Sequence, residues 1–300
     1  GSKSGAAEPA GEPGDDEDEQ DVGKSAVAKK KSPAPRRIVR NRKLIRSNVK
    51  NLNGALVAVF GKVRKAVTLQ LSHRLNDVKE AAVDPHTRMK AEEVLQSLDL
   101  SGFAVLRGKA EKVLKEVTKD GAAQALTQLG VEDDKKVVSL ANKRAEEYAK
   151  DRAAELVGMK WVGDELIPNP NPIYRIDEST RELLRGFVEE AIAEGYSNDQ
   201  LADGLADSFA FSESRAETIA RTETAAADVA GNMEAYRASG DVTGKQWIVA
   251  QDEVCDECQQ NADQGVIDLD AEFITGCDGP PAHPNCRCDV IPVLNNEEFE

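Results

Sequence analysis

The chain has 300 residues, room for about two domains. Hydrophobic residues make up 40% and aromatic residues 4%, so its core must be aliphatic and alanine-rich. No run approaches the roughly 18 consecutive apolar residues of a membrane helix, and Gly1 to Asp21 is polar and acidic, unlike a signal peptide; neither a membrane-spanning protein nor a secreted mini-protein is expected.

The formal net charge of −15 is strongly segregated along the chain. Residues 1–21 carry eight acids and one base; residues 22–76 carry fifteen bases and no acid; the remainder carries −23. Residues 1–36, rich in Gly, Ala, Pro and Ser, have little to bury and should form a disordered acidic, then basic, tail. The opening Gly1-Ser2 reads as an expression scar, and the chain as a piece of something longer.

From about Arg37 the pattern turns helical, and 37–160 reads as a helical region with a basic first helix. Leu52, Leu56, Val59, Val63, Val67 and Leu71 recur at three or four residues, which is one helix face. Gly54 and Gly61 weaken this helix without breaking it. Further helices are expected near 88–98, 102–129 (with a break near Gly121) and 132–157. The last has Val137, Leu140, Ala141, Arg144, Ala145, Tyr148, Arg152 and Leu156 on one face. Pro168, Pro170 and Pro172 forbid helix and mark 161–176 as a linker and the main domain boundary. Three capping boxes follow, at Ser179–Glu182, Ser197–Gln200 and Ser214–Glu217, each opening a helix. After Gly244, strands are expected at 246–250, 265–269 and 288–293, followed by a tail over 294–300. The fold class is therefore α+β: a mainly helical N-terminal region, then helices with a small sheet.

All five cysteines lie within the last 46 residues, which suits a local metal site better than a disulfide framework. Cys255 and Cys258 form a C-x-x-C knuckle. His283 and Cys286 have the same spacing, whereas Cys286 and Cys288 would share one face of an extended segment with Arg287 opposite. Zinc prefers four such ligands in a tetrahedron, and four protein ligands leave no open catalytic position. The candidate ligands for a structural Zn2+ are thus Cys255, Cys258, His283, Cys286 and Cys288, with Cys277 as the spare. The alternatives are reduced cysteines packing a small β layer, or a redox C-x-x-C.

Arg221-Thr222-Glu223 is the second constellation. Glu223 falls on the apolar stripe of its helix, where a carboxylate is costly unless paired. It reads as a general acid/base, or as a structural carboxylate bonding backbone N–H groups or an arginine such as Arg221 or Arg287. The third is the basic arm: Lys29, Lys30, Lys31, Arg36, Arg37, Arg40, Arg42, Lys43 and Arg46 suit either the phosphates of double-stranded DNA or an acidic protein surface. No nucleotide-binding, nucleophile-elbow or zinc-protease motif occurs.

The ordered run of Arg221-Thr222-Glu223, then Lys245-x-Trp247, Asp252-x-x-Cys255-x-x-Cys258 and Pro281-x-His283-Pro284-Asn285-Cys286-Arg287-Cys288 resembles the phage Mu F-like family over roughly 177–293. These are minor head, or head morphogenesis, proteins of tailed phages, in some phages fused behind the portal protein. The resemblance implies a non-enzymatic virion or procapsid protein, assembled in the host bacterial cytoplasm and associated with the portal vertex and other head proteins. It makes Arg221, Thr222, Glu223, Trp247, Asp252 and Arg287 structural motif residues. The competing expectation is a metal-dependent hydrolase or nuclease acting around Glu223 and His283.

Overall fold

The latter part of the acid-free stretch lies in one long helix, α1 (Arg42–Val78), in a computed structural model that describes residues 40–78, 87–250 and 254–295. Its 37 residues span about 55 Å at the α-helical rise. Leu52, Leu56, Val59, Val63, Val67 and Leu71 are all buried, as their spacing requires. Gly54 and Gly61 face open space, so their lack of a side chain costs only helix propensity. Next come α2 (Thr87–Gln96), a 3-10 turn (Ser101–Val105), α3 (Leu106–Leu129) and α4 (Lys135–Glu155). Gly130 closes α3 in the left-handed region, and the Asp134 carboxylate caps α4 by accepting the Lys136 and Val137 N–H groups.

The expected break at Gly121 does not occur, because this glycine serves packing rather than termination. Helix α3 crosses α7 (Glu213–Ser239) at very close range. A Cβ at Gly121 would strike the Asp228 carbonyl oxygen, and one at Gly231 would strike the Thr118 carbonyl oxygen. In α4 the buried stripe is Ala141, Ala145, Ala149 and Ala153, an unbroken four-residue repeat, while Leu140 is exposed. Small side chains let these three helices approach one another closely.

The proline-rich stretch holds an antiparallel hairpin of β1 (Met159–Val162) and β2 (Glu165–Pro168), with Val162 opposite Glu165. It does not separate two cores: one apolar cluster joins Leu56 and Val63 of α1 and Leu114 of α3 to Leu184, Val188, Ile219 and Ala220 beyond it.

Helices α5 (Ile176–Glu194) and α6 (Asn198–Asp207), a 3-10 turn (Phe209–Phe211) and α7 follow. Of the three capping boxes, only Ser197–Gln200 forms as read. The Ser179 box is displaced by a buried arginine, and the Ser214 box gives way to a cap two residues earlier. Arg215 donates to Ser179 Oγ at 2.8 Å and Thr180 Oγ1 at 3.0 Å, so those hydroxyls are taken, and α5 begins earlier, at Ile176. Helix α7 is capped by Ser212, whose Oγ accepts the Arg215 N–H at 3.1 Å.

The sheet has the order β4-β3-β5, all antiparallel: β3 (Val242–Ile248) is central, between β4 (Val266–Asp268) and β5 (Asp289–Leu294). Strand β3 starts earlier than the alternation suggests, and a helix that periodicity did not reveal, α8 (Asp256–Asp263), lies between β3 and β4. The fold is mainly helical with small antiparallel sheets. Among the described residues, no helix is long and apolar enough to cross a membrane.

Candidate metal centre and its supports

Cys255 is the N-cap of α8, its Sγ accepting the Cys258 N–H at 3.4 Å, and Cys258 lies in the first turn. The C-x-x-C segment is thus a helix start rather than a free knuckle. Just before β5, Cys286 and Cys288 have both side chains buried and Arg287 exposed, the alternation of an extended segment. Cys258 Sγ is 3.6 Å from Cys286 Sγ and 3.3 Å from His283 Nε2. The donors gather as two triads sharing Cys258: Cys255, Cys258 and His283, and Cys258, Cys286 and Cys288. Cys277 stands apart from both, 3.2 Å from Thr275 Oγ1. Trp247 is fully buried beside the cluster, edge-on to Phe273 at 5.1 Å between ring centres.

The electrostatics favour a soft cation. Burial pushes the Cys258 thiol up to about 12. The Cys286 thiol is raised by its hydrogen bond to Cys288, and that bond holds Cys288 well below the usual thiol range. Three buried sulfurs this close resist ionising together, because each new thiolate meets the last in a poorly solvated site. A divalent cation removes that conflict. His283 Nδ1 lies 2.9 Å from the Pro284 carbonyl oxygen, which accepts its proton and leaves the Nε2 lone pair directed at Cys258. The donor set fits zinc.

Motif residues tie separate elements of the fold to one another. Asn285, with φ of 59°, donates its backbone N–H to Thr222 Oγ1 at 3.1 Å and its side-chain amide to Thr218 Oγ1 at 3.5 Å. The Cys/His loop is thereby pinned to α7. Glu223 is buried and held by Arg152 of α4, which donates to both carboxylate oxygens at 2.8 and 2.7 Å. Its partner is therefore Arg152 and not Arg221, which is exposed and pairs with Glu217. Lys245 is completely buried; its Nζ donates to the Asp278 carbonyl oxygen at 2.7 Å and to the Asp278 carboxylate. Burial alone would raise the Asp278 carboxyl, but hydrogen bonds from Lys245 and Arg237 hold it low. Asp252 lies outside the described residues.

Of the basic arm, Lys29, Lys30, Lys31, Arg36 and Arg37 lie outside the described residues. Arg42, Lys43 and Arg46 are exposed on the first turns of α1. Arg40 departs from the expected binding set: it pairs with Asp228 of α7 at 2.9 Å and Asp289 of β5 at 3.1 Å, both buried. Its charge is spent inside the fold.

Sequence reasoning left Arg152, Asp289, Asn285 and Lys245 without roles. One signal was present for the first: Arg152 and Glu223 each interrupt the apolar face of a helix, and two such buried charges of opposite sign satisfy each other. A family described as Phage Mu protein F like protein matches residues 183–291, a span holding α7, β3, β4, the start of β5 and every donor of the cluster. No curated protein and no solved structure matches the chain. Over residues 183–291, which hold Glu223, Lys245, Trp247 and the Cys/His cluster, the chain is thus similar to the phage Mu protein F-like family, a likeness that points to a phage head-related protein.

Proposed function

We propose that the chain is a structural minor head protein of a tailed phage, acting in head morphogenesis at the portal vertex. The observation that carries this reading is how the family's motif side chains are used. Glu223 is bound by Arg152, Thr222 by Asn285, and Lys245 by Asp278; each joins one element to another. A carboxylate with both oxygens engaged by a guanidinium is poorly placed to take a proton, so the hydrolase reading around Glu223 and His283 draws no support from the geometry. The bases of the arm, namely the exposed Arg42, Lys43 and Arg46 together with the sequence-adjacent Lys29, Lys30, Lys31, Arg36 and Arg37, would contact packaged or injected DNA. The acidic remainder repels phosphate and leaves the arm as the attractive region.

Zn2+ is the proposed cofactor, in a structural role, with Cys255, Cys258, His283, Cys286 and Cys288 as its available ligands. When bound it would neutralise the thiolates and tie α8 to β5. Co-expression with the portal protein of the same phage, then purification and native mass measurement, tests the main reading. A portal complex is expected. A chain that stays free of portal and head proteins, and whose loss leaves head assembly intact, overturns it.

A further inference from the structure

Five donors converge where a tetrahedral ion accepts four. We infer that they form one bipartite metal site, in which Cys258, Cys286 and Cys288 are fixed ligands and Cys255 and His283 are alternative, exchangeable fourth ligands. This inference rests on the zinc reading above.

Metal–sulfur bonds of about 2.3 Å place the ligand atoms of a tetrahedron about 3.8 Å apart. Cys258 already stands 3.6 Å from Cys286 and 3.3 Å from His283 Nε2, close to that spacing on both sides. Yet among the described residues the donors meet as two triads, each within 4.8 Å, and not as a quartet. The triads differ in character. Cys258, Cys286 and Cys288 are all buried, seated on the first turn of α8 and the entry to β5 and packed with Trp247 and Phe273. These three can take an ion with little rearrangement. Cys255 and His283 are half-buried and form the second triad with the shared Cys258.

Each outer donor is prepared by a different part of the chain. His283 is oriented by the Pro284 carbonyl and carried on the loop that Asn285 fastens to Thr222 and Thr218. Cys255 is oriented as the cap of α8. Ligation by His283 therefore ties the ion to α7, and ligation by Cys255 ties it to α8. Either arm can leave while the other completes the shell, so the His283 loop can move without release of the metal.

Chelator-competition titrations with Zn2+ and Co2+ test this on the whole chain, comparing wild type with Cys255→Ser, His283→Gln, their double variant, Cys286→Ser and Cys288→Ser. One ion per chain is expected for wild type and both outer single variants, with affinities within about tenfold of one another. The double variant and the inner variants should lose about a hundredfold or more. The Co2+ thiolate charge-transfer band should report three sulfurs in Cys255→Ser and four in His283→Gln. Far-UV circular dichroism, dominated by α1 to α7, shows that each variant is folded; the outer single-versus-double comparison decides the matter even where an inner variant is not. Either outer single variant losing as much affinity as the double variant, or two ions per wild-type chain, overturns the inference. A wild-type chain that binds neither ion overturns the zinc reading itself.

Discussion

Glu223 offers the sharpest separation of a structural from a catalytic motif. It is 4% exposed and its partner Arg152 is 15% exposed, joined by two charged hydrogen bonds. Breaking a buried pair by removing one partner typically costs about 3–5 kcal/mol, because the remaining charge is stranded. Arg152 keeps a second carboxylate, Glu155, at 2.6 Å, so Glu223→Ala should fall near the lower figure, about 3 kcal/mol. Glu223→Gln retains an acceptor but loses the charge, and should cost about 1.5–3 kcal/mol. Exchanging both partners, Arg152→Met with Glu223→Leu, removes the two buried charges together and should recover most of the loss. Urea unfolding followed by circular dichroism and by the fluorescence of Trp161 and Trp247 measures all four stabilities. The reasoning is refuted if Glu223→Gln is as stable as wild type while a hydrolytic activity disappears, since the carboxylate would then serve chemistry and not packing.

The glycines give opposite signs for one substitution. Gly231→Ala, which drives a methyl group into the backbone of α3, should lower stability by about 1–3 kcal/mol, whereas Gly54→Ala, facing open space, should raise it by about 0.5–1 kcal/mol; thermal melts showing both changes stabilising would refute the close α3–α7 crossing. Asp228 gives a pH signature. Burial holds its carboxyl up at about 6 despite Arg40, against a usual 3.8. The folded chain keeps this proton to higher pH than the unfolded chain, so the contribution of Asp228 to stability declines as pH rises from about 4 to 6. The difference between wild type and Asp228→Asn should change by about 2 kcal/mol across that window, and a flat difference in denaturant midpoints would count against the burial argument. For the arm, neutralising Lys29, Lys30, Lys31, Arg36 and Arg37 should flatten the salt dependence of binding to duplexes of unrelated sequence, measured by fluorescence anisotropy. Arg40 is left out because Asp228 and Asp289 hold it. Absence of wild-type binding at about 50 mM salt removes DNA and leaves a protein surface as the partner.

How much was legible depended on how local the cause was. The apolar face of α1 could be read directly, because a 3.6-residue period needs only one helix to express it. The Ser197 box was legible for the same reason: its hydrogen bonds close within four residues. The Ser179 box was not, since Arg215 from a different helix takes the Ser179 and Thr180 hydroxyls; at the start of α7 the cap is supplied by Ser212 rather than Ser214. Helix α8 was hidden because its eight residues carry little apolar pattern and are started by a cysteine cap.

By itself, the order of residues determined the α+β class, the segregation of charge, the family motifs and the gathering of the cysteines at one end of the chain. Only the tertiary structure decided which charges and ligands meet. Arg152 reaches Glu223 across 71 residues and Arg40 reaches Asp289 across 249, and neither partnership leaves a periodic trace in either segment. Gly121 looked like a helix breaker and is a contact surface, because the neighbour it accommodates lies on α7, more than a hundred residues later. Spacing marked five donors; their division into a buried triad and two outer donors follows from where α8, the His283 loop and β5 come together. Propensity and period act over a few residues, whereas burial and charge pairing act through space, and that difference in range sets the boundary between the two kinds of knowledge.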